Sequence, residues 1–199
     1  TIPDSAKIDV SKDIAFRNMK IDAGASIISN DSVSVVGPIT FKRSLPDNQW
    51  YLISSPVFGQ KIDDFVDTNN LETSTDGTLS ALGSFDTENN QWVYYNNNSS
   101  PNEDILNPFQ GYSIKLAGIN DTIKFSGTFN SEDSEITSDE SGFTLIGNPN
   151  LSYISSEDFL NNNNDDLGEM TIWLWNENTD SYDTKNLATI EGNNDFLIA

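Results

Sequence analysis

The chain has 199 residues, 36% of them hydrophobic, with 31 Asp and Glu against ten Lys and Arg and a net charge of −21 at neutral pH. It contains no cysteine and no histidine, which excludes disulfides, Cys-based zinc sites, thiol nucleophiles and the Ser-His-Asp and Cys-His forms of catalysis. So acidic a surface disfavours nucleic acid and anionic membranes as partners, and no window approaches the eighteen apolar residues that span a bilayer.

The charge is uneven. Residues 1–43 carry six of the ten cations against five acids, whereas residues 44–199 carry four cations against 26 acids. The chain opens Thr1-Ile2-Pro3 without an initiator Met, so a processed form or an excised fragment is expected.

In chain order, Ile8/Val10, Ile14/Phe16, Met19/Ile21, Ala25/Ile27 and Val33/Val35 are apolar pairs at strand spacing, parted by polar or turn-forming residues. Short strands stacked as solenoid rungs fit this pattern, and two ordinary hairpins fit it equally. Gly37-Pro38 interrupts, and Ile39 to Arg43 resumes as an alternating strand. Pro46-Asp47-Asn48 turns into Trp50-Tyr51-Leu52-Ile53-Ser54-Ser55-Pro56, a short apolar run halted by proline, as a buried strand ends in a turn.

Asp63 to Val66 predicts one helical turn, and Asn69 to Gly77 a polar loop. A strand led by Leu79 to Phe85 turns at Asp86 to Asn90 into Trp92-Val93-Tyr94-Tyr95. Asn96 to Asn102 is a loop by composition. Phe109 to Ile114 predicts a strand in which Gly111 marks a bulge or a close backbone approach. Asp121 to Phe129 alternates cleanly, and Ser131 to Ser141 is an acidic linker.

The Trp50 stretch then recurs 93 positions later as Phe143-Thr144-Leu145-Ile146-Gly147-Asn148-Pro149. Its followers recur too. Ile62-Asp63-Asp64-Phe65-Val66 matches Ser156-Glu157-Asp158-Phe159-Leu160, and Phe85 to Trp92 matches Trp175 to Tyr182. Three matching elements in one order predict an internal duplication. Helical periodicity is nearly absent. The expected fold is all-β and β-sandwich-like, with two internally related halves at 44–135 and 136–199 and a strand-rich, solenoid-like segment at 1–43. The second half stops before a counterpart of Gly111-Tyr112, so it is expected to be truncated.

Ile39 to Arg43 with Trp50 to Gln60, Gln110-Gly111-Tyr112, Ile123 to Asn130 and Leu145 to Pro149 together resemble a module of exported Bacteroidetes (Flavobacteria) proteins. The resemblance covers roughly residues 20–199. Such modules stand in large surface or secreted proteins, often ahead of a type IX secretion sorting domain, which this chain lacks. The resemblance implies export to the cell surface or medium, a structural, adhesive or accessory role, and no catalytic residues. Asp4-Ser5-Ala6, Asp31-Ser32-Val33 and Asp121-Thr122-Ile123 resemble the Bacteroidetes O-glycosylation motif, which makes Ser5, Ser32 and Thr122 candidate acceptors.

For chemistry, the chain offers no Gly-x-Ser-x-Gly elbow. The carboxylate pairs Asp63/Asp64, Asp86/Glu88 and Asp165/Asp166 match a glycosidase by residue type alone. The acids suit calcium better, with Asp86, Glu88, Asp165 and Asp166 as candidate ligands, although no EF-hand spacing is present. The alternative is that they are exposed turn acids.

The aromatics point more sharply. Trp92 and Tyr94 share one strand face, as do Trp173 and Trp175, with Tyr182 across the turn. A flat exposed aromatic row stacks on sugar rings, whereas the same residues on a buried face would fill a sandwich core. Tyr95, opposite Trp92, is the aromatic expected to be most exposed, and Trp50 and Phe143 are expected in the core. The expectation is a non-catalytic structural or adhesive module of an exported protein, with polysaccharide or another surface protein as partner. The alternative is a carbohydrate-binding module serving a polysaccharide-degrading enzyme, and behind both stands a carboxylate-dependent glycoside-active domain.

Overall fold

The computed structural model describes residues 1–3, 6–10, 12–29, 33–99, 104–129, 142–190 and 196–197. They form a mainly β structure of several small open sheets with two short helices.

The five N-terminal apolar pairs all fall on strands or at their edge: β1 (Lys7–Val10), β2 (Ile14–Phe16), β3 (Met19–Ile21), β4 (Ser26–Ser29) and β5 (Val33–Val35), followed by β6 (Ile39–Leu45). Every pairing among them is parallel, β1 with β4, β2 with β5 and β3 with β6, starting at Lys7↔Ser26, Ile14↔Val33 and Met19↔Ile39. Ile2 bridges Ile21 in the same sense. Hairpins pair antiparallel, so the hairpin alternative does not form. Where the chain rounds from β5 to β6, a Cβ on Gly37 would lie 2.2 Å from Asn18 Oδ1 and 2.3 Å from the Arg17 carbonyl oxygen. Only glycine fits between these layers.

β6 joins this segment to the rest, because its other edge pairs antiparallel with β11 (Asp121–Gly127) over seven residue pairs. Period-2 alternation turns Ile39, Phe41, Leu45, Ile123 and Phe125 into the core. The expected helical turn is α1 (Ile62–Thr68), and its Phe65, wholly buried, stacks on Phe125 at 5.1 Å. Behind it Asn69 closes the edge of β11. Its Oδ1 accepts from the Lys124 amide at 2.7 Å, and its Nδ2 donates to the Lys124 carbonyl at 3.1 Å.

A second sheet runs β7-β10-β8-β9, all antiparallel, from β7 (Tyr51–Ile53), β8 (Leu79–Asp86), β9 (Gln91–Asn96) and β10 (Tyr112–Ile114). The C-terminal part holds β12 (Ile154–Ser155), α2 (Ser156–Asn162), β13 (Thr171–Asn176), β14 (Ser181–Asn186) and β15 (Phe196–Leu197). Ser155 caps α2 by accepting from the Asp158 amide, and Leu160 is wholly buried beneath it.

The recurrence at 143–149 departs from expectation. It forms no regular strand, only an Ile146↔Gln110 bridge, with hydrogen bonds from the Gly111 amide to the Leu145 carbonyl and from the Gly147 amide to the Phe109 carbonyl. Phe143 is 64% exposed rather than core, because its ring rests on Trp173 and its carbonyl accepts from Thr87. The stretch is held instead against the first copy. Ser54 Oγ lies 3.1 Å from both the Asn148 amide and its carbonyl. A Cβ on Gly147 would come within 2.5 Å of Ser54 Cβ and 2.7 Å of two carbonyl oxygens.

Candidate functional site

Two hairpins build the site. In β8–β9, the register sets Phe85 opposite Trp92 and Gly83 opposite Tyr94. Gly83 leaves room for the rings, since a Cβ there would lie 3.0 Å from Tyr94 and 3.4 Å from Trp92. In β13–β14, Trp175 faces Tyr182 and Trp173 faces Thr184. Both turns place a non-glycine residue in the left-handed region just before the second strand, Asn90 at φ 51° and Asp180 at φ 48°. Both then bring an edge-to-face aromatic pair across the turn: Phe85–Trp92 at 5.3 Å and 65°, Trp175–Tyr182 at 5.2 Å and 69°.

Trp50 connects them. Its ring packs on Tyr94 at 5.7 Å, and its carbonyl accepts from Trp175 Nε1 at 2.9 Å. Phe143 adds a second connection, ring to Trp173 at 5.0 Å and carbonyl to Thr87 in the first hairpin's turn. The result is a ridge of four ring pairs. None of its rings belongs to the buried core, and Tyr182 is 50% exposed. Trp50, expected in the core, is half-buried because it lies just outside β7, at the junction of the hairpins.

The six aromatics singled out in the sequence therefore divide. Trp92, Tyr94, Trp173, Trp175 and Tyr182 lie in the ridge. Tyr95 does not. It turns to the other face, packs partly against the core and donates to Asp63 Oδ1 at 2.6 Å. That bond to a carboxylate, with burial second, pushes its phenol up to about 12. The expectation of Tyr95 as the freest ring is corrected by this anchor on α1, which had no sequence signal. Burial also raises Tyr94 and Tyr182. Ridge membership of Phe85, Trp50 and Phe143 was missed. A glycine within an otherwise apolar strand, Gly83 opposite an aromatic, was the available signal.

The acids do not converge. Asp86 accepts from Asn89 through side chain and amide at 2.8 and 3.1 Å, and these bonds hold its carboxyl below the ordinary value. Glu88 is exposed in the same turn, and Asp165 and Asp166 are exposed after α2. Among the described residues no three acids are grouped as a metal would require. Asp63 is engaged by Tyr95 while Asp64 is exposed. Thr122 is exposed on β11; Ser5 and Ser32 lie outside the described residues.

A cleft of about 410 Å³ opens elsewhere, between Gly24–Ser26, Lys42–Ser44 and Leu151–Tyr153. Burial lowers the pKa of its Arg43, against the pull of Glu177.

Fold and site together define a mainly β module with an aromatic surface ridge and dispersed surface acids. The chain belongs to the family described as domain of unknown function DUF8693, whose model matches residues 1–191. No curated protein and no solved structure matches it.

Proposed function

We propose that this is a non-catalytic adhesive module of an exported bacterial protein, acting at the cell surface or in the medium, with the aromatic ridge as its contact face. The ridge is the observation that carries the proposal. Four ring pairs stand outside the buried core, Phe143 and Tyr182 exposed and the other six rings half-buried. Contiguous apolar surface on so charged a chain marks a place of contact, and large rings supply contact area at low entropic cost. The resemblance to modules of exported Bacteroidetes proteins supports the location, as does the exposure of Thr122 for a sugar.

Two finer features of the fold belong to the same reading. Each half follows the recurrent motif with a seven-residue helix, α1 or α2, and then a hairpin with the same positive-φ turn and cross-turn pair, which supports two copies of one unit. The parallel pairs ahead of them support two stacked coils of a short solenoid.

One observation favours a carbohydrate as the partner. Trp173 and Trp175, and Trp92 and Tyr94, stand two apart on one strand face, with exposed Asn89, Gln91, Asn178 and Ser181 at their ends. Rings stack on sugar faces while such side chains bond hydroxyls. The 26 acids of residues 44–199 would repel sulfated or uronic sugars, so the glycan is neutral.

A glycan array, run with calcium and again with chelator, tests this. Selective retention of a neutral polysaccharide, lost in a folded Trp92→Ala variant, assigns the carbohydrate role. Loss in chelator alone places calcium in the site. If the array is blank, the adhesive role predicts attachment of coated beads to cells that the same variant abolishes. Absence of both would overturn the proposal.

A further inference from the structure

We propose that the cleft beside the far end of β6 is a binding site for a small sugar acid, a hydroxylated ring carrying one carboxylate. It is separate from the aromatic ridge and takes a ligand of different charge.

Unequal strand lengths make the cleft. β3 pairs with β6 only as far as Ile21↔Phe41, while β6 runs on to Leu45 against β11. Past Ile21 the chain turns away. The Ala25 amide donates to the Asp22 carbonyl at 3.1 Å, and Gly24 takes φ 77°, a conformation that suits glycine. Residues 42–44 therefore have a strand neighbour on the β11 side and, among the described residues, none on the other. The third wall, residues 151–153, is fixed by the Ile27 amide on the Leu151 carbonyl at 3.2 Å and by Asn148 Nδ2 on the Ser152 carbonyl at 2.7 Å. The enclosed volume, about 410 Å³, suits a small molecule. Successive strand residues point to opposite faces, yet Phe41, Lys42, Arg43 and Ser44 all line the cleft. That is the property of an uncovered edge, and a ligand seated there has both cations beside it.

In a chain of net charge −21, no acid lines this cleft. Lys42 shares Asp22 with Lys20, the Nζ–Oδ1 distances being 3.7 and 3.2 Å, and Lys124 stands opposite Lys42 on β11. Glu177 attracts Arg43, but burial is the stronger influence and lowers its pKa. The cations of the group thus outnumber the carboxylates, and a guanidinium shielded from water holds a carboxylate more strongly than an exposed one. Phosphate sites add helix N-termini or rows of backbone amides, and no helix begins on these walls. The ligand's body is read from the rest of the lining. Each wall offers one serine hydroxyl, Ser26, Ser44 and Ser152, and Tyr153, 45% exposed, offers a ring. Hydroxyls and a ring together suit a sugar. The acids that turn such sugars from the ridge belong to residues 44–199, whereas two of the three walls come from residues 23–44.

Titration of the chain with D-glucuronate, followed by calorimetry and by amide NMR, tests this. Glucuronate should bind and shift the amides of residues 23–26 and 151–153, and its methyl ester, the same body without the charge, should bind about tenfold more weakly or worse. Lys42→Gln, at a partly exposed position that keeps the fold, and Arg43→Gln should each weaken glucuronate about tenfold, while Trp92→Ala should leave it unchanged. Equal binding of the ester, unchanged affinity in a folded Lys42→Gln variant, or shifts confined to the ridge would overturn the proposal. So would an absence of glucuronate binding at millimolar concentration. Acetate or inorganic phosphate binding as tightly as glucuronate would also overturn it, by making the cleft a site for any anion.

Discussion

Asp76 shows how far one side chain fixes a turn here. Its Oδ1 accepts from the Ser74 hydroxyl at 2.7 Å, the Thr78 amide at 3.0 Å and the Thr78 hydroxyl at 2.7 Å. These donors, Ser74 first, draw its carboxyl from 3.8 to about 2. A carboxyl depressed by folding stabilises the turn above its ordinary value and loses that contribution as pH falls to the folded one. The 74–78 turn should stay intact at pH 4 and open between about 4 and 2. The Thr78 amide shift, followed by NMR, should report a midpoint near the lower end; a midpoint near 3.8 would remove the three bonds from the account.

Gly147 is the second instance. A methyl there must displace Ser54 and two backbone carbonyls, so Gly147→Ala should cost about 1–3 kcal/mol by denaturant melts. Close approach was legible at Gly111, where a Cβ would lie 2.6 Å from Leu145 Cγ. At Gly147 it was not, because Leu-Ile-Gly-Asn-Pro reads as a strand running into a turn, and nothing local says that another chain segment lies against it.

Elements were read well where period-2 alternation is local. All five N-terminal apolar pairs lie on strands or at their edge, and both hairpins turn at the expected residues. Strand direction was not legible, since alternation marks faces and is silent on the neighbour. The second recurrence was misjudged for the same reason, its one bridge partner among the described residues being Gln110, two residues before β10. The helices are seven residues each, too short for a 3.6-residue period to show. They are held from below by one anchor each, Phe65 and Leu160, both wholly buried. Phe65→Ala should cost about 3–5 kcal/mol and Leu160→Ala about 2–5 kcal/mol. A loss below about 1 kcal/mol at either, read from urea midpoints, would mean that the helix is not seated in the core.

Across the whole molecule, charge opposes compaction. The ion pairs of Lys20 and Lys42 with Asp22, and of Lys115 with Glu72, are partly exposed. Such pairs contribute little, whereas an excess of 21 negative charges repels itself. Raising monovalent salt from about 10 millimolar to about 1 molar should therefore raise the melting temperature, as the screening length contracts from about 30 Å to about 3 Å. A fall would show that ion pairs dominate.

If the aromatic ridge serves contact, Trp173 should contribute to binding more than to stability. Its ring is half-buried, packed on the exposed Phe143 and outside the core. The measurement is a fluorescence titration of the chain and of Trp173→Ala with whichever neutral polysaccharide or cell surface retains the unaltered protein, alongside thermal melts of both. Trp173→Ala should lose affinity about tenfold or more with the melt shifted by only a few degrees. Unchanged affinity with a loss of about 3–5 kcal/mol, the signature of a truncated core aromatic, would make the ridge a piece of the interior and contradict the account.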